Sequence, residues 1–262
     1  MPVFVSDVIR AMEEFAPPEL AEGWDNCGLL VGRGGAGVNR VLLALDATHE
    51  VILEAQEIGA EMIVSHHPVI FKPMERLTDE TPAGERVLAA AERGIAIYSA
   101  HTNLDSTAGG VNDALLSLLE IGGGQELLFE ESPNPFARIV KLDRELTLGE
   151  LADRVREKLG LNSIRYVGKA DSRVKTAAVI CGAGSKTEYF SEARAVGCDV
   201  FLTGDIGFHH AQFALEIGLC LVDFMHYPSE VPVLPVLQKH LQKKLDAEIL
   251  ISQIDGQVFK TL

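Results

Sequence analysis

Short apolar runs alternate with longer segments of helical periodicity along most of this 262-residue chain. The apolar runs have the length of buried strands, and a single helix-length segment follows most of them. Single helical crossovers join parallel strands and cover the faces of their sheet. The sequence therefore predicts an α/β fold with largely parallel or mixed sheets. The predicted strands are 41–45, 62–64, 95–98, 137–142, 174–180, 200–202, 219–224 and 249–251.

The helices are predicted between these strands and at the two ends of the chain. Val5, Val8, Ile9 and Met12 lie at helical spacing and predict a short amphipathic helix near the start. Thr147-Leu148-Gly149-Glu150 has the pattern of a capping box, which marks a helix start. The remaining predicted helices are 49–58, 82–93, 111–119, 188–196, 208–217 and 229–245, and a proline at 235 is expected to kink or shorten the start of the last one.

Histidine is concentrated just beyond the predicted strands. Of the eight histidines, only His49 and His240 lie outside four short fragments. In a parallel α/β sheet, functional groups collect at the carboxyl ends of the strands. Two adjacent imidazoles at a buried strand end are either hydrogen-bonded to their surroundings or bound to a metal ion. The four fragments are His66-His67-Pro68, His101-Thr102-Asn103-Leu104-Asp105, His209-His210 and His226-Tyr227-Pro228-Ser229-Glu230.

Imidazole and carboxylate donors occur together at these strand ends. Mixed nitrogen and oxygen donors suit zinc, iron or manganese better than magnesium, which prefers oxygen. Five donors exceed what one tetrahedral ion needs, and a carboxylate can bridge two ions about 3.5–4 Å apart. The pattern therefore favours two divalent metal ions per subunit. The five donors are His66, His67, Asp105, His226 and Glu230.

Five motifs in a fixed order resemble the Ngg-interacting-factor-three-like family, whose bacterial members carry the name GTP cyclohydrolase I type 2 homologue. The resemblance runs from about residue 5 to residue 255. The motifs are Gly23-Trp24-Asp25-Asn26-Cys27-Gly28-Leu29-Leu30-Val31-Gly32, His66-His67-Pro68, His101-Thr102-Asn103-Leu104-Asp105, Thr203-Gly204-Asp205 with His209-His210, and His226-Tyr227-Pro228-Ser229-Glu230.

The resemblance implies specific roles for the five donors. His66, His67, Asp105, His226 and Glu230 would ligate two divalent metals, with Glu230 bridging them. It also implies a two-part α/β subunit and a ring-shaped homohexamer whose metal sites face an internal cavity. Some bacterial relatives carry an inserted central domain, and this chain is too short to include it.

The glycine-rich segment 121–125 is the best candidate for a boundary between two units, because glycines end helices. A chain of this length suits one large α/β domain or two small ones. We expect two interlocked α/β units with the metal site at the strand carboxyl ends. Residues 1–124 with 221–262 would form the unit that carries the metal ligands, and 125–220 would form the second.

Three further histidines are candidates for proton transfer. His101 precedes Asp105 by four residues, and we expect it behind the ligands or on the substrate side rather than on the metal. His209 and His210 could act as acid or base, or form a helix-start pair bonded to backbone. Asp25 and Asn26 follow Trp24 before a strand and could support the site or cap a turn. Asp46 ends the predicted strand 41–45 and could support the site or cap the helix that starts near Thr48.

Two glycine-rich loops resemble nucleotide-binding sequences. Gly32-Arg33-Gly34-Gly35-Ala36-Gly37 joins two apolar runs without a following helix, which favours a turn over a dinucleotide fingerprint. Gly182-Ala183-Gly184-Ser185-Lys186-Thr187 lies between a predicted strand and helix, the context of a phosphate loop. Ser185 occupies the position that a Walker loop reserves for glycine, so an anion site and a plain turn both stay open.

Charge and composition limit the partners. A net charge of −15 and a pI near 4.9 disfavour proteins that bind nucleic acid or coat an anionic membrane. No run of apolar residues is long enough to span a membrane, and the first residues lack a signal-peptide pattern. Four cysteines without a CxxC pair predict buried, reduced thiols. We expect a cytoplasmic protein with a small-molecule substrate.

Two functions remain compatible with these residues. One is a two-metal hydrolase, of cyclohydrolase or phosphohydrolase type, acting on a nucleotide or a similar anionic heterocycle; only the family resemblance indicates the substrate class. The other is a non-enzymatic metal-binding or regulatory protein. Coordination closed by protein groups would favour the second function, and an open position in a cleft would favour the first.

Overall fold

The computed structural model describes residues 2–122, 124–130, 132 and 134–260, and its elements alternate as the sequence predicts. Its strands are β1 (Val3–Phe4), β2 (Gly28–Val31), β3 (Gly37–Val38), β4 (Arg40–Ala44), β5 (Met62–Ser65), β6 (Ala96–Ser99), β7 (Gln125–Leu127), β8 (Ala137–Thr147), β9 (Arg165–Val167), β10 (Arg173–Val179), β11 (Val200–Thr203), β12 (Cys220–Asp223) and β13 (Glu248–Ile251). Its helices are α1 (Val5–Phe15), α2 (His49–Ile58), α3 (Pro82–Glu92), α4 (Thr102–Ser106), α5 (Val111–Leu118), α6 (Leu148–Lys158), α7 (Thr187–Ala195), α8 (Phe208–Glu216), α9 (His226–Glu230) and α10 (Val233–Lys244), with a 3-10 turn over Pro18–Leu20.

The chain divides into two units, and the first is discontinuous in sequence. Residues up to Thr107 together with Leu234–Gly256 form the first unit, and Ala108–Val233 with the segment from Gln257 forms the second. This division differs from the predicted boundaries at 124 and 220. Helix α5 belongs to the second unit because it packs on β8 and α9. Helix α9, with His226 and Glu230, therefore groups with the second unit rather than the first.

The first unit contains a five-stranded sheet in the order β13-β4-β5-β6-β2. Strands β13, β4, β5 and β6 are parallel to their neighbours, and β2 pairs antiparallel with β6 at one edge. All residues of β5 and β6 are buried, as expected for central parallel strands covered on both faces. The parallel strands aim their carboxyl ends at one edge of the sheet, where the histidine fragments follow.

Local signals explain where the helices of the first unit begin and end. The Thr48 side chain accepts a hydrogen bond from Val51 N at 3.3 Å and starts α2, and Gly59 ends it in a left-handed conformation with φ 70°. Helices α2 and α3 pack their apolar residues on one face of the sheet, in a core that includes Ile52, Ile63 and Ala90. Elsewhere in the unit, His240 of α10 donates from Nε2 to the Ala11 carbonyl of α1 at 2.8 Å.

The second unit contains a six-stranded mixed sheet in the order β7-β8-β10-β11-β12-β9. Strands β10, β11 and β12 are parallel, whereas β7, β8 and β9 join through antiparallel pairs. A buried core around Phe190, Phe201 and Leu221 joins this sheet to α7 and α8. The predicted capping box is confirmed: Glu150 N donates to Thr147 Oγ1 at 3.2 Å, and Thr147 N donates to Glu150 Oε2 at 2.7 Å.

The last predicted helix, 229–245, is instead two helices. Helix α9 ends at Glu230 and α10 begins at Val233, so the break falls at Val231 and Pro232. Val231 keeps helical dihedrals, φ −53° and ψ −26°, but Pro232 has no N–H to continue the helical hydrogen bonds, so the break falls there. Pro235 lies in the first turn of α10, where a missing N–H costs no helical hydrogen bond, so it does not kink the helix as predicted.

None of the helices in the described part of the chain is both long enough and apolar enough to cross a membrane.

Candidate metal centre

Two histidines of the first unit follow β5 directly. His66 N donates to the carbonyls of Ala44 and Leu45 at 3.3 and 3.1 Å, and His67 N donates to Leu45 O at 2.8 Å. These bonds continue the sheet beyond β5 and hold both backbones against the end of β4. The buried Ser65 hydroxyl also donates to His67 O at 2.9 Å. The pair is therefore held by the sheet itself.

Hydrogen bonds fix the tautomer of both imidazoles. His66 is buried, and its Nδ1 lies 2.9 Å from the carbonyl oxygen of Ala100, which only accepts. The His67 Nδ1 atom lies 3.0 Å from Asp46 Oδ1. Each Nδ1 therefore carries the proton, and each Nε2 carries the lone pair that a metal ion uses. Asp46, left open between a supporting and a capping role by the sequence, supports His67.

His101 joins these two residues. It follows β6, the neighbouring parallel strand, and the ligand nitrogens of His66, His67 and His101 all lie within 4.8 Å of one another. Ring centroids are 4.8 Å apart for His66 and His67 and 5.1 Å apart for His66 and His101. Asp105, in α4, places Oδ1 3.6 Å from His66 Nε2. The first unit therefore gathers three imidazoles and one carboxylate at the carboxyl ends of β5 and β6.

Asp25 positions His101 and the start of α4. Its fully buried carboxylate accepts from His101 Nδ1 at 2.9 Å, from Thr102 N at 3.0 Å and from Thr102 Oγ1 at 2.5 Å. Burial alone would raise the pKa of Asp25, but the hydrogen bonds from His101 and Thr102 outweigh it and hold the pKa well below its usual range. Asp25 therefore fixes the tautomer of His101 and also accepts a hydrogen bond from Thr102 N at the start of α4. It supports the site and a helix start at the same time.

Cys27 contacts the same network but stays protonated. Its thiol lies 3.1 Å from Asp25 Oδ2 and 3.2 Å from Asn103 Oδ1. Burial, with a smaller contribution from the Asp25 charge, raises the pKa of Cys27 to about 12. In these contacts the protonated thiol is a hydrogen-bond donor to Asp25 or Asn103.

The second unit holds the other two predicted ligands on α9. His226 Nδ1 donates to Asp205 Oδ2 at 2.8 Å, and His226 Nε2 lies 3.3 Å from Glu230 Oε2, one helical turn away. The Glu230 side chain is almost fully buried. Asp205 follows β11 and His226 follows β12, so the carboxyl ends of two parallel strands again supply the groups.

The glycine-rich loop at 182–187 makes room for these ligands. A Cβ on Gly182, which has φ 62°, would lie 2.1 Å from Glu230 Oε1 and 3.2 Å from His226 Nε2. Gly182 N donates to Ser229 Oγ at 2.9 Å, and Ser229 Oγ in turn donates to His226 O at 2.6 Å. The first glycine of the loop therefore contacts α9 closely, which the sequence reading of a phosphate loop did not anticipate.

Two of the three non-glycine residues with positive φ in the described part of the chain follow these strand ends, and the third is Glu120. Asp205 and Met225 have positive φ angles of 54° and 63°, which are rare outside glycine. Met225 directly precedes His226, and its N–H donates to Asp223 Oδ1 at 3.0 Å. Such conformations persist where surrounding structure enforces them, and they are common at functional sites.

His209 and His210 make local contacts in the second unit. His209 is exposed, and its Nδ1 lies 3.1 Å from Gln212 Oε1 of the same helix, α8. His210 Nδ1 lies 2.9 Å from Ser185 Oγ in the glycine-rich loop. Both histidines are bonded to side chains rather than to backbone, and His210 contacts the loop that packs on α9.

The donor chemistry fits a transition-metal ion. Four imidazoles, those of His66, His67, His101 and His226, turn Nδ1 toward a carbonyl or carboxylate, so Nε2 is the nitrogen that could bind a metal ion. This is the arrangement by which proteins orient metal-binding histidine. His240, outside the predicted fragments, differs because its Nε2 donates a hydrogen bond to a backbone carbonyl.

The sequence of the chain matches a known protein family over most of its length. The model of the Duf34/NIF3 (NGG1p interacting factor 3) family matches residues 3–257, and the chain belongs to that family. Two relatives, both called GTP cyclohydrolase 1 type 2 homolog, come from Clostridium perfringens and Clostridium acetobutylicum. The first is 36% identical over 249 residues, covering 94% of each chain, and the second is 37% identical over 270 residues, covering 99% of this chain and all of the relative.

Solved structures agree in fold. A hypothetical protein from Staphylococcus aureus superposes with a TM-score of 0.89 at 28% identity and covers all of both chains. A Bacillus cereus protein related to NIF3 superposes with a TM-score of 0.87 at 26% identity, over 99% of each chain. The predicted α/β class and family resemblance are confirmed.

Some supporting residues were not found from the sequence. Asp205 appeared only as part of a motif, and its bond to His226 was not predicted. The sequence suggested an anion site or a turn for the loop that begins at Gly182, and it did not predict that the missing side chain leaves room for Glu230. The positive φ of Asp205 brings its side chain toward the next strand end, and local sequence patterns do not encode that contact.

Proposed function

We propose that this chain binds two divalent metal ions and acts as a metal-dependent hydrolase on a nucleotide-like small molecule. The observation that carries the proposal is the common orientation of four imidazoles, in each of which Nδ1 faces a carbonyl or carboxylate. Three of them, His66, His67 and His226, belong to the assigned ligand set, and His101 is the candidate for proton transfer. The nucleotide class comes from the relatives, which carry the name GTP cyclohydrolase 1 type 2 homolog.

The ligand assignment follows the family resemblance. By that resemblance, His66, His67, Asp105, His226 and Glu230 would hold the two ions, with Glu230 as the ligand common to both. Zinc, iron and manganese all suit this donor set. Glu230 supports the assignment because its buried carboxylate places Oε2 3.3 Å from Nε2 of His226, a second assigned ligand.

Bound divalent ions would supply Lewis acidity and make a coordinated water more acidic. In this chain, Asp46 and the Ala100 carbonyl hold the rings of His67 and His66 in one orientation. His101 keeps its proton on Nδ1 through Asp25, so its Nε2 can accept a proton from water or substrate and return it to the leaving group. The buried Asp25 carboxylate then stabilises the imidazolium, as in other carboxylate–histidine pairs. His209 and His210 are the alternative proton donors.

The proposal is tested by combining metal analysis with activity. Protein produced in medium supplemented separately with zinc, iron or manganese is analysed for metal per chain and then assayed against GTP and a panel of nucleotides and phosphate esters. We expect two ions per chain and release of formate or phosphate from one of the substrates. One ion or none per chain contradicts the metal assignment, and two ions without turnover of any substrate contradict the hydrolase.

The alternative is a non-enzymatic metal-binding or regulatory protein. The near-complete burial of His66 and Glu230 favours it, because ligands enclosed by protein suit a structural or storage site. His67 and His226 are partly exposed, which favours access for a substrate. The alternative would be supported if, in the metal-saturated protein, protein groups filled every coordination position of the ions.

We further propose a homohexamer in the cytoplasm. The oligomer rests on the family resemblance, and the compartment is supported by four cysteines that are all free, as is usual in reducing surroundings. Light scattering coupled to size-exclusion chromatography is expected to give six chains per particle. A monomer at micromolar concentration would contradict the assembly.

A further inference from the structure

Two exposed aromatic side chains border the histidine cluster of the first unit. Trp24 is 62% exposed and Phe71 is 46% exposed. Their ring centroids are 6.0 Å apart, and each lies close to the ring of His101, at 6.3 Å for Trp24 and 6.1 Å for Phe71. The interplanar angles of 63°, 76° and 79° are all edge-on, so neither aromatic ring covers the face of the other. The pair therefore forms an open corner beside His101.

The corner is held by polar contacts on both of its segments. Asn26, two residues after Trp24, donates from Nδ2 to the carbonyl of Ile70, the residue before Phe71, at 2.6 Å. Asp25, between Trp24 and Asn26, is tied to His101 and Thr102. One hydrogen bond thus joins the two segments, which are 44 positions apart in sequence. The two exposed rings are therefore carried by segments that hydrogen bonds hold in place.

Phe71 lies on a long connection. Between β5 and α3, residues 66–81 contain no helix or strand. Connections of more than about 12–15 residues without regular structure are uncommon in compact domains and are usually functional. This one begins with the two metal-ligand candidates His66 and His67 and reaches Phe71 four residues later.

We propose that Trp24 and Phe71 form a stacking site for a planar nitrogen heterocycle, whose polar edge then faces His101. This inference rests on the proposed function and specifies which part of the substrate the first unit recognises. Aromatic side chains with exposed faces bind heterocyclic bases by stacking without requiring a particular hydrogen-bond pattern. Trp24 and Phe71 set specificity for the ring, whereas His101 contacts the reacting part.

The size of the corner favours a small ring over a protein partner. A tryptophan and a phenylalanine together bury at most about 300–500 Å². A stable protein interface needs about 800 Å² from each partner. A single heterocycle matches the smaller area, and its position beside three histidines suits a substrate.

Trp24 is the single tryptophan of the chain, so its fluorescence reports on this corner alone. The full-length protein is titrated with GMP and, separately, with ribose 5-phosphate, which has the phosphate and sugar without the ring. We expect a saturable change in emission with GMP and none with ribose 5-phosphate. Phe71→Ala should weaken GMP binding roughly 5- to 100-fold, the usual effect of losing one stacking partner. Phe71→Tyr should retain binding.

Phe259→Ala is the matched control, because Phe259 is also an exposed phenylalanine and belongs to the other unit. It should leave the GMP titration unchanged. Equal responses to GMP and ribose 5-phosphate, or an unchanged GMP affinity in Phe71→Ala, would overturn the stacking site. Dissociation of the oligomer by Phe71→Ala with unchanged GMP affinity would assign the corner to a second copy of the chain instead.

Metal content, measured on the same samples, separates this inference from the proposed function. Protein with two ions and no GMP response refutes the stacking site and leaves metal binding standing. Protein without metal refutes the metal assignment, and its titration still tests the stacking site, because Asn26 and Ile70 hold the corner without a metal ion.

Discussion

A Cβ atom on Gly182 would lie 2.1 Å from Oε1 of Glu230, well inside the van der Waals contact distance. The glycine-rich loop after β10 therefore permits the buried carboxylate of α9 to occupy its position. Ser229, adjacent to Glu230, accepts the Gly182 N–H and locks the two segments together. The contribution of this loop is the space left by the missing side chain of Gly182. Phosphate loops differ because they bind the anion with their N–H groups.

Gly182→Ala should therefore weaken metal binding. Gly160→Ala is the matched control, since Gly160 has a nearly equal φ of 65° and open space around the added Cβ. Both variants should lose about 1–2 kcal/mol of unfolding free energy from left-handed strain. Only Gly182→Ala should also lose metal affinity in calorimetric titration of the apo protein. Equal metal affinity in the two variants would show that the Glu230 side chain can move away from the added Cβ without weakening metal binding.

Glu230→Gln tests the shared ligand. The amide preserves size and removes the negative charge, so the fold should survive while both ions bind more weakly. Circular dichroism checks the fold, and metal titration with elemental analysis checks the two ions. If the variant still binds two ions with the parent affinity, Glu230 does not bridge.

Asp46→Asn and Asp205→Asn test the carboxylates that orient His67 and His226. Each change removes the charged acceptor of an Nδ1–H bond, and losses of about 10- to 100-fold in metal affinity are typical for such partners. The stoichiometry at saturation should not change. Loss of an ion at saturating concentration would instead identify the aspartate as a direct ligand.

His101→Asn separates proton transfer from ligation. If His101 acts on the substrate side, the variant should bind two ions with affinity lowered by no more than about 10- to 100-fold. Hydrolysis in the metal-loaded variant should fall by about 10²–10⁴-fold, the usual contribution of a general acid or base. If the variant cannot bind two ions, His101 is itself a metal ligand.

The native thiols should react slowly. Burial raises the pKa of Cys27 to about 12 and that of Cys198 to about 11, and it also raises the pKa of Cys220. The thiolate is the reactive form, so its population at pH 8 is small and increases only as the pH approaches these values. Ellman's reagent at pH 8 should label the native protein slowly and all four cysteines after denaturation. Rapid native labelling of Cys27 would contradict its protonated state.

The central elements were predictable because their periodicity is strong. Helix α2 occupies His49–Ile58, the predicted range, and β5 extends its predicted range by one residue. The edge strand β13 was predicted as 249–251, but β9, at one edge of the second sheet, was not. Strand β9 has three residues, none of them buried, so it lacks the apolar pattern that identifies strands. Its antiparallel pairing with β12 depends on tertiary structure alone.

The candidate site was predictable to the extent that strand ends carry its residues. His66 and His101 follow adjacent parallel strands, and their proximity follows from the α/β topology. The contact between Trp24 and Phe71 was not predictable, since it joins two irregular segments through the Asn26 side chain. Loop-to-loop distances have no periodic signal in a sequence.

The separation of β13 from its partner in the chain has a consequence for biosynthesis. Strand β13 pairs in parallel with β4, and Arg40 bonds Glu248 across 208 positions. The first unit therefore cannot finish its sheet until residues 248–251 have left the ribosome. Until then β4 presents an unpaired edge, which is prone to wrong pairing. The stretch Ala108–Val233 is continuous in sequence and can fold earlier, so a segment translated after it completes the sheet of the first unit.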